Sequence, residues 1–317
     1  MDVTEGLPVQ RIGLVETRRE TRWLIESLWL DQAAGLIGGQ PKTCKSWLGL
    51  DAAVSIASGT PCLKRFPVTT RGPTLVFLAE DQVTEVRARV DGICQSRGLD
   101  IEALDLHVIT APVLRLDDPI DRGRLWHTVE KIAPKLVLLD PLVRMHSSDE
   151  NNSKDIASIL GFLREIQRRF ATAVVLTHHA SKRSHSRPGQ ALRGSSDLHA
   201  FVDSALYMAR DGDELSLTVE HRSAAAIAPI RLVLNTESDV HLSLGSEEPT
   251  MAAAVAAPPP PPLEEQIIER LAVRRQVIPR ALLRNELRVN NQRFCQALTA
   301  LIANGRVIAT PAGIGLA

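Results

Sequence analysis

Four short apolar runs, each ending abruptly on small or polar residues, constrain this chain more than any other feature. They are Gly35-Leu36-Ile37 before Gly38-Gly39, Thr74-Leu75-Val76-Phe77-Leu78 before Ala79-Glu80-Asp81, Leu136-Val137-Leu138-Leu139 before Asp140-Pro141, and Ala173-Val174-Val175-Leu176-Thr177 before His178-His179. Runs without polar alternation read as strands of a parallel sheet covered on both faces. Between them lie stretches with apolar residues at helical spacing: Val83, Val86, Val90 and Ile93, then 124–133, then Ile156, Ile159, Leu160, Leu163 and Ile166. Strand alternating with amphipathic helix predicts an α/β fold. In open parallel sheets ligands bind just past the strand ends, and that is where the polar residues of this chain gather.

The first run leads into Gly39-Gln40-Pro41-Lys42-Thr43-Cys44-Lys45-Ser46. This is the phosphate-binding pattern G-x-x-x-x-G-K-[ST] with Cys44 in place of the second glycine. Phosphate is held there mainly by backbone N–H groups and the positive end of the following helix, which cysteine supplies as well as glycine does. On this reading residues 39–46 bind a nucleotide, with Lys45 reaching the β- and γ-phosphates and the Ser46 hydroxyl ligating Mg²⁺. A cysteine Cβ at a position of positive φ costs about 1–2 kcal/mol. The competing reading is a Gly-Gly turn before a helix with an incidental Lys-Ser pair. That helix, from Trp47, is apolar on most sides and stops at Ser58-Gly59-Thr60-Pro61, a glycine-then-proline ending.

Hydrolysis of a nucleoside triphosphate needs a carboxylate that orders the metal and a group that orients the attacking water. Asp140 follows four apolar residues, the Walker B form; its alternative is an aspartate capping a helix before Pro141. Glu80 closes the strand after the loop helix and is placed to act as general base, with Asp81 expected to cap the next helix. His178-His179 ends the last run, where a polar side chain senses the γ-phosphate. Beyond it, residues 180–189 carry Lys182, Arg183 and Arg187. That loop either lines a pore and contacts phosphates or is simply a solvated charge run.

From Ala205 the texture changes to strands without intervening helices, 205–208, 215–219, 230–234 and 240–244, expected as antiparallel strands on one sheet edge. Residues 252–257 and the five prolines Pro258 to Pro262 cannot pack a core and read as a spacer. The expected organisation is therefore 1–247, a linker at 248–262, and 263–317. In the last segment three helical patterns and a short hairpin pattern predict a winged helix-turn-helix. Asn290, Asn291, Gln292, Arg293 and Gln296 on its third helix suit phosphate and base-edge hydrogen bonds. The alternative is a small domain that docks to a neighbour.

Charges balance at 37 against 37. Residues 263–317 nevertheless hold eight Arg against four Glu, a net of plus four, which leaves minus four on the rest. Cys44, Cys62, Cys94 and Cys295 show no paired spacing, which argues against disulfides or a zinc site and for a cytoplasmic setting. No run approaches the ~20 apolar residues of a membrane span.

Taken in order, Lys42, Lys45-Ser46-Trp47, Phe77-Leu78-Ala79-Glu80-Asp81, Leu138-Leu139-Asp140-Pro141-Leu142, Asp149-Glu150-Asn151, Thr177-His178-His179 with Lys182, and Arg193-Gly194-Ser195-Ser196 resemble the RecA-like ATPases related to the plasmid replication helicase RepA. The resemblance spans about residues 20–245. It implies a P-loop NTPase core, a mostly parallel sheet with antiparallel edge strands, working with ATP and Mg²⁺ in a ring, usually a hexamer, whose sites form between subunits. It assigns Lys45 and Ser46 to nucleotide and metal, Glu80 to catalysis, Asp140 to metal and His179 to phosphate sensing. Arg222 matches an arginine finger, although Glu220 stands where a basic residue often precedes it; Arg193 is a second candidate, and either is alternatively a plain strand-end charge. The function implied is an oligomeric translocase or helicase on single-stranded DNA. The alternative is a nucleotide-gated DNA-binding or assembly factor with little hydrolysis.

Overall fold

The computed structural model describes residues 9–15, 21–147, 153–179, 196–237, 239–245, 263–274, 277–287, 289, 291–310 and 313–316. They fall into two compact units, Met1–Ser246 and Glu247–Ala317. In the first, a hairpin of β1 (Trp23–Ile25) and β2 (Trp29–Leu30) precedes β3 (Ala34–Gly39), α1 (Lys45–Ser58), β4 (Thr74–Leu78), α2 (Val83–Gln95) and β5 (Leu106–Val108). Then come α3 (Pro119–Ile132), β6 (Leu136–Asp140), α4 (Ser153–Phe170), β7 (Ala173–His179), α5 (Ser196–Phe201) and β8 (Ser204–Asp211). Strands β9 (Glu214–His221), β10 (Ile230–Asn235) and β11 (His241–Leu244) follow.

One nine-stranded sheet runs in the order β11-β10-β9-β8-β3-β7-β6-β4-β5. Alternate residues of each buried strand enter opposite cores, as a period of two requires. Ile37, Val76, Leu78, Leu138 and Val175 pack under α1 and α2, while Leu36, Leu75, Phe77, Leu139 and Leu176 pack under α3, α4 and α5. Helix α1 is enclosed because its Leu48, Leu50, Val54 and Ile56 are all buried; each such side chain contributes about 1.5–3 kcal/mol.

Two expectations need correction. The segment at 205–208 is part of β8, which pairs in parallel with β3 (Gly35 opposite Ser204, Gly39 opposite Met208) rather than antiparallel at the edge. It is reached by a crossover that carries α5, so only β9, β10 and β11 form the antiparallel edge. Helix α3 starts at Pro119, not 124: Asp118 caps it by accepting from the Ile120 N–H at 2.9 Å, with proline in the first turn.

At the end of β9 the His221 ring stands edge-on to Trp23, with centroids 4.9 Å apart. It bonds to Ser204 Oγ at 3.1 Å and to the Ser27 carbonyl at 3.2 Å. Burial pushes its imidazole below 6.5, against the smaller pull of the Ser27 carbonyl. The unfolded chain therefore takes up this proton more readily than the folded one, so stability present above about pH 6.5 is lost as the pH falls through that value toward the lowered folded one. Thermal denaturation should show the melting temperature falling from about pH 7 to about pH 5.5, with a shallower slope in His221→Gln; equal slopes would contradict this.

The second unit contains α6 (Leu263–Arg274), α7 (Arg280–Leu287), α8 (Asn291–Ala303) and the strands β12 (Val307–Thr310) and β13 (Gly313–Leu316). The strands pair as an antiparallel hairpin. Ile267, Leu271, Leu283, Phe294, Leu298 and Leu301 close a separate core with Val307 and Ile314. Among the described residues no helix is long and apolar enough to cross a membrane.

Candidate nucleotide site

The loop between β3 and α1 is closed by its own polar groups. A Cβ on Gly39 would lie 2.4 Å from the Met208 carbonyl oxygen and 2.7 Å from Thr43 Oγ1, so β8 and the loop leave room only for glycine. The Gln40 carbonyl accepts from Thr43 Oγ1 and from Lys45 Nζ, each at 2.8 Å. The chain turns through left-handed conformations at Lys42 (φ 65°) and Cys44 (φ 63°). Cys44 thus occupies the conformation that favours glycine, at a cost of about 1–2 kcal/mol. Its carbonyl begins the helix by accepting from the Leu48 N–H at 3.1 Å, and the first-turn N–H groups of a helix have no partner within it.

Lys45 is buried. Burial pushes its ammonium below the usual lysine range, and the charges of Asp140, Glu80 and Cys44 pull it partly back. The acids come from the two strands beyond β7, Asp140 at the end of β6 and Glu80 just past β4. In register, Leu78 faces Asp140 across β4 and β6, and Gly38 and Gly39 face His178 and His179 across β3 and β7. Asp140 and His178 are buried, whereas Glu80 is exposed.

The Thr177 hydroxyl donates to Asp140 Oδ1. Among the described residues, Asp140 Oδ2 is buried and accepts no hydrogen bond. Burial pushes this carboxyl up, while the nearby Ser46 and Thr177 hydroxyls and the Lys45 ammonium hold it down and Asp81 opposes them. A buried carboxylate oxygen without a partner is costly unless something else supplies one, and a small hard cation between Asp140 and Ser46 meets that need. Among the described residues no group of three or more His, Cys, Asp or Glu could hold a metal alone. Mg²⁺ typically takes one or two protein ligands and completes its shell with water and substrate phosphates.

Asp81 does not cap α2. Its two oxygens receive Arg89 Nη1 and Nη2, both at 2.7 Å, because Arg89 lies two turns along the same helix; Gln82 is the cap, in a capping box with Glu85. Glu80 receives Arg144 Nε at 2.7 Å.

Arg222 lies at the other end of the sheet, beside Ser204 rather than Met208. There it pairs with Asp203 at 3.0 Å and donates to the Ala200 carbonyl. The arginine beside the loop is Arg210, whose Nη2 lies 3.5 Å from Cys44 Sγ. Its signal in the sequence was its place at the far end of β8, which is legible only once β8 is known to run parallel to β3. Lys182, Arg183, Arg187 and Arg193 lie outside the described residues, as do the side chains of Asn291 and Arg293.

The model of the family described as AAA domain matches residues 4–185, more than half of the chain. A DnaB-like replicative helicase, solved in a study of its interactions with primase, superposes with a TM-score of 0.53 at 15% identity over 67% of this chain. The match spans 57% of the helicase chain. The RadB recombinase superposes with a TM-score of 0.51 at 14% identity, over 68% of this chain and 92% of its own. A phosphate loop and a buried strand-end aspartate on one sheet, together with the match over residues 4–185, place the chain in the AAA domain family with the RecA-like fold of a P-loop ATPase.

Proposed function

We propose that the protein hydrolyses ATP with Mg²⁺ as a homo-oligomeric ring, of six subunits as the resemblance implies, and that turnover is coupled to movement on single-stranded DNA. The observation that carries the hydrolytic part is the proximity of Lys45, Ser46 and the partnerless Asp140 Oδ2 at one end of the sheet. In this reading residues 39–46 hold the triphosphate, Ser46 and Asp140 hold Mg²⁺, Glu80 takes the proton of the attacking water, and His179 senses the γ-phosphate. Mg²⁺, when bound, neutralises charge developing on the phosphates.

The nucleic-acid part is supported by the likeness to a replicative helicase and a recombinase. The second unit, three helices and a hairpin, fits a winged helix contacting DNA through Asn291 and Arg293. Lys182, Arg183, Arg187 and Arg193 are proposed as further phosphate contacts. Arg222 is proposed as a finger toward a neighbouring subunit.

Cys44 favours a second reading, a nucleotide-gated assembly factor with slow hydrolysis, because its strained loop conformation is the one departure from a standard phosphate loop. Size-exclusion chromatography with ATP turnover, with and without single-stranded DNA, separates the two. The first reading expects oligomers and DNA-stimulated turnover; ATP-dependent oligomers without turnover would replace it with the second.

A further inference from the structure

The residue assigned as general base is not free to act. Arg144 Nε lies 2.7 Å from Glu80 Oε1, an ion pair between side chains 62% and 46% exposed. Arg144 ends the 3₁₀ turn Leu142–Arg144, which follows Asp140 directly. Leu142 and Met145 on either side are completely buried, and the Arg144 N–H bonds to the Pro141 carbonyl at 3.1 Å. The backbone that carries Arg144 is therefore fixed relative to Asp140, and the guanidinium is aimed across the sheet end at Glu80, two residues past the end of β4. The neighbouring acid offers Arg144 nothing, because both oxygens of Asp81 are occupied by Arg89.

We infer that Arg144 is a restraint on Glu80, a positioning residue that holds the carboxylate away from the attacking water until the pair opens. The inference rests on the assignment of Glu80 as base in the proposed function. A general base must present an acceptor lone pair to the water it deprotonates. Here one oxygen is already taken by the Arg144 guanidinium. An exposed ion pair is weak, so the restraint opens readily, as a gate must. Asp140 and Arg144 share one strand and turn, so the element that orders the metal also sets the base.

The test is steady-state ATP hydrolysis by the full chain, wild type against Arg144→Ala, Arg144→Gln, Arg144→Lys, Glu80→Gln and the double variant Glu80→Gln with Arg144→Ala. The pair's strength sets the scale: releasing it should raise kcat of Arg144→Ala and Arg144→Gln about two- to fivefold with KM for ATP unchanged. Arg144→Lys, which keeps a cation but not the guanidinium fork, should fall between. Glu80→Gln and the double variant should be equally inactive, showing that the gain passes through Glu80. A kcat in both Arg144→Ala and Arg144→Gln equal to or below wild type, with Glu80→Gln inactive, would overturn the restraint while leaving Glu80 as base. Substantial turnover by Glu80→Gln would remove the base assignment, and the inference with it.

Discussion

Lys45→Ala is expected to lower ATP turnover by about two to three orders of magnitude, the usual cost of removing one preorganised charge that stabilises a developing anion. The apoprotein should stay folded. In the structure the ammonium is buried, its protonated form is disfavoured by burial, and among the described residues its hydrogen bond is to the Gln40 carbonyl at 2.8 Å. Removing a desolvated charge relieves a cost, so the melting temperature without nucleotide should be equal to or above that of wild type. The stabilisation by ATP should shrink at the same time, because a ligand at about 100 times its Kd adds about 2.7 kcal/mol only to a protein that binds it. Turnover and thermal shifts measured on the same samples check both halves. A Lys45→Ala protein that hydrolyses ATP at the wild-type rate would refute the site.

The second large effect lies outside the site. Asp51 and Arg97 form an ion pair of 2.5 Å between side chains only 2% and 4% exposed. The other Asp51 oxygen accepts from the Leu63 N–H at 2.8 Å, and Arg97 Nη1 reaches Ser55 Oγ at 2.7 Å and Thr60 Oγ1 at 3.0 Å. Asp51→Ala leaves a guanidinium buried without its counter-charge and an N–H without its acceptor. The first loss alone costs about 3–5 kcal/mol, a large part of the roughly 5–15 kcal/mol that holds a typical protein folded. The melting temperature should fall by about 10 °C. Because the cost comes from the orphaned charge more than from the lost attraction, Asp51→Leu combined with Arg97→Met should recover most of it. A double variant as unstable as Asp51→Ala would show that shape, not charge, is at stake.

The local features of this protein were readable in its sequence because each depends on a few consecutive residues. The strand, loop and helix around Lys45 could be recognised despite Cys44, since the apolar run, the two glycines and the Lys-Ser pair each have a physical role that cysteine does not disturb. Asp140 and Glu80 stood out as acids at strand ends because apolar runs lead up to them, and β6 does end at Asp140 and β4 two residues before Glu80. What periodicity does not encode is which distant side chains meet. The Glu80–Arg144 and Asp51–Arg97 pairs join residues 64 and 46 apart in sequence. Arg210 reaches the loop only because β8 runs parallel to β3, a direction that a short apolar run does not reveal. Asp81 was misread for the same reason: an acid before a helix looks like a cap, and the arginine that claims it lies two turns further on.

The position of β3 also governs how the molecule comes into being. This strand, which ends in the phosphate loop, appears early in the chain, yet its two sheet partners are the late strands β7 and β8, where Ala34 pairs with Val174 and Gly35 with Ser204. During synthesis about 140 further residues must emerge before β3 acquires its first neighbour and about 170 before it acquires its second, by the register of those pairs. A ribosome-bound chain stalled before β7 therefore exposes an apolar strand with two unpaired edges, the kind of surface on which chains aggregate. Resistance to proteolysis around Lys45 should arise late and in one step, when β8 closes against Gly39. For a nascent chain, the loop that opens the fold waits on a strand made about 170 residues later.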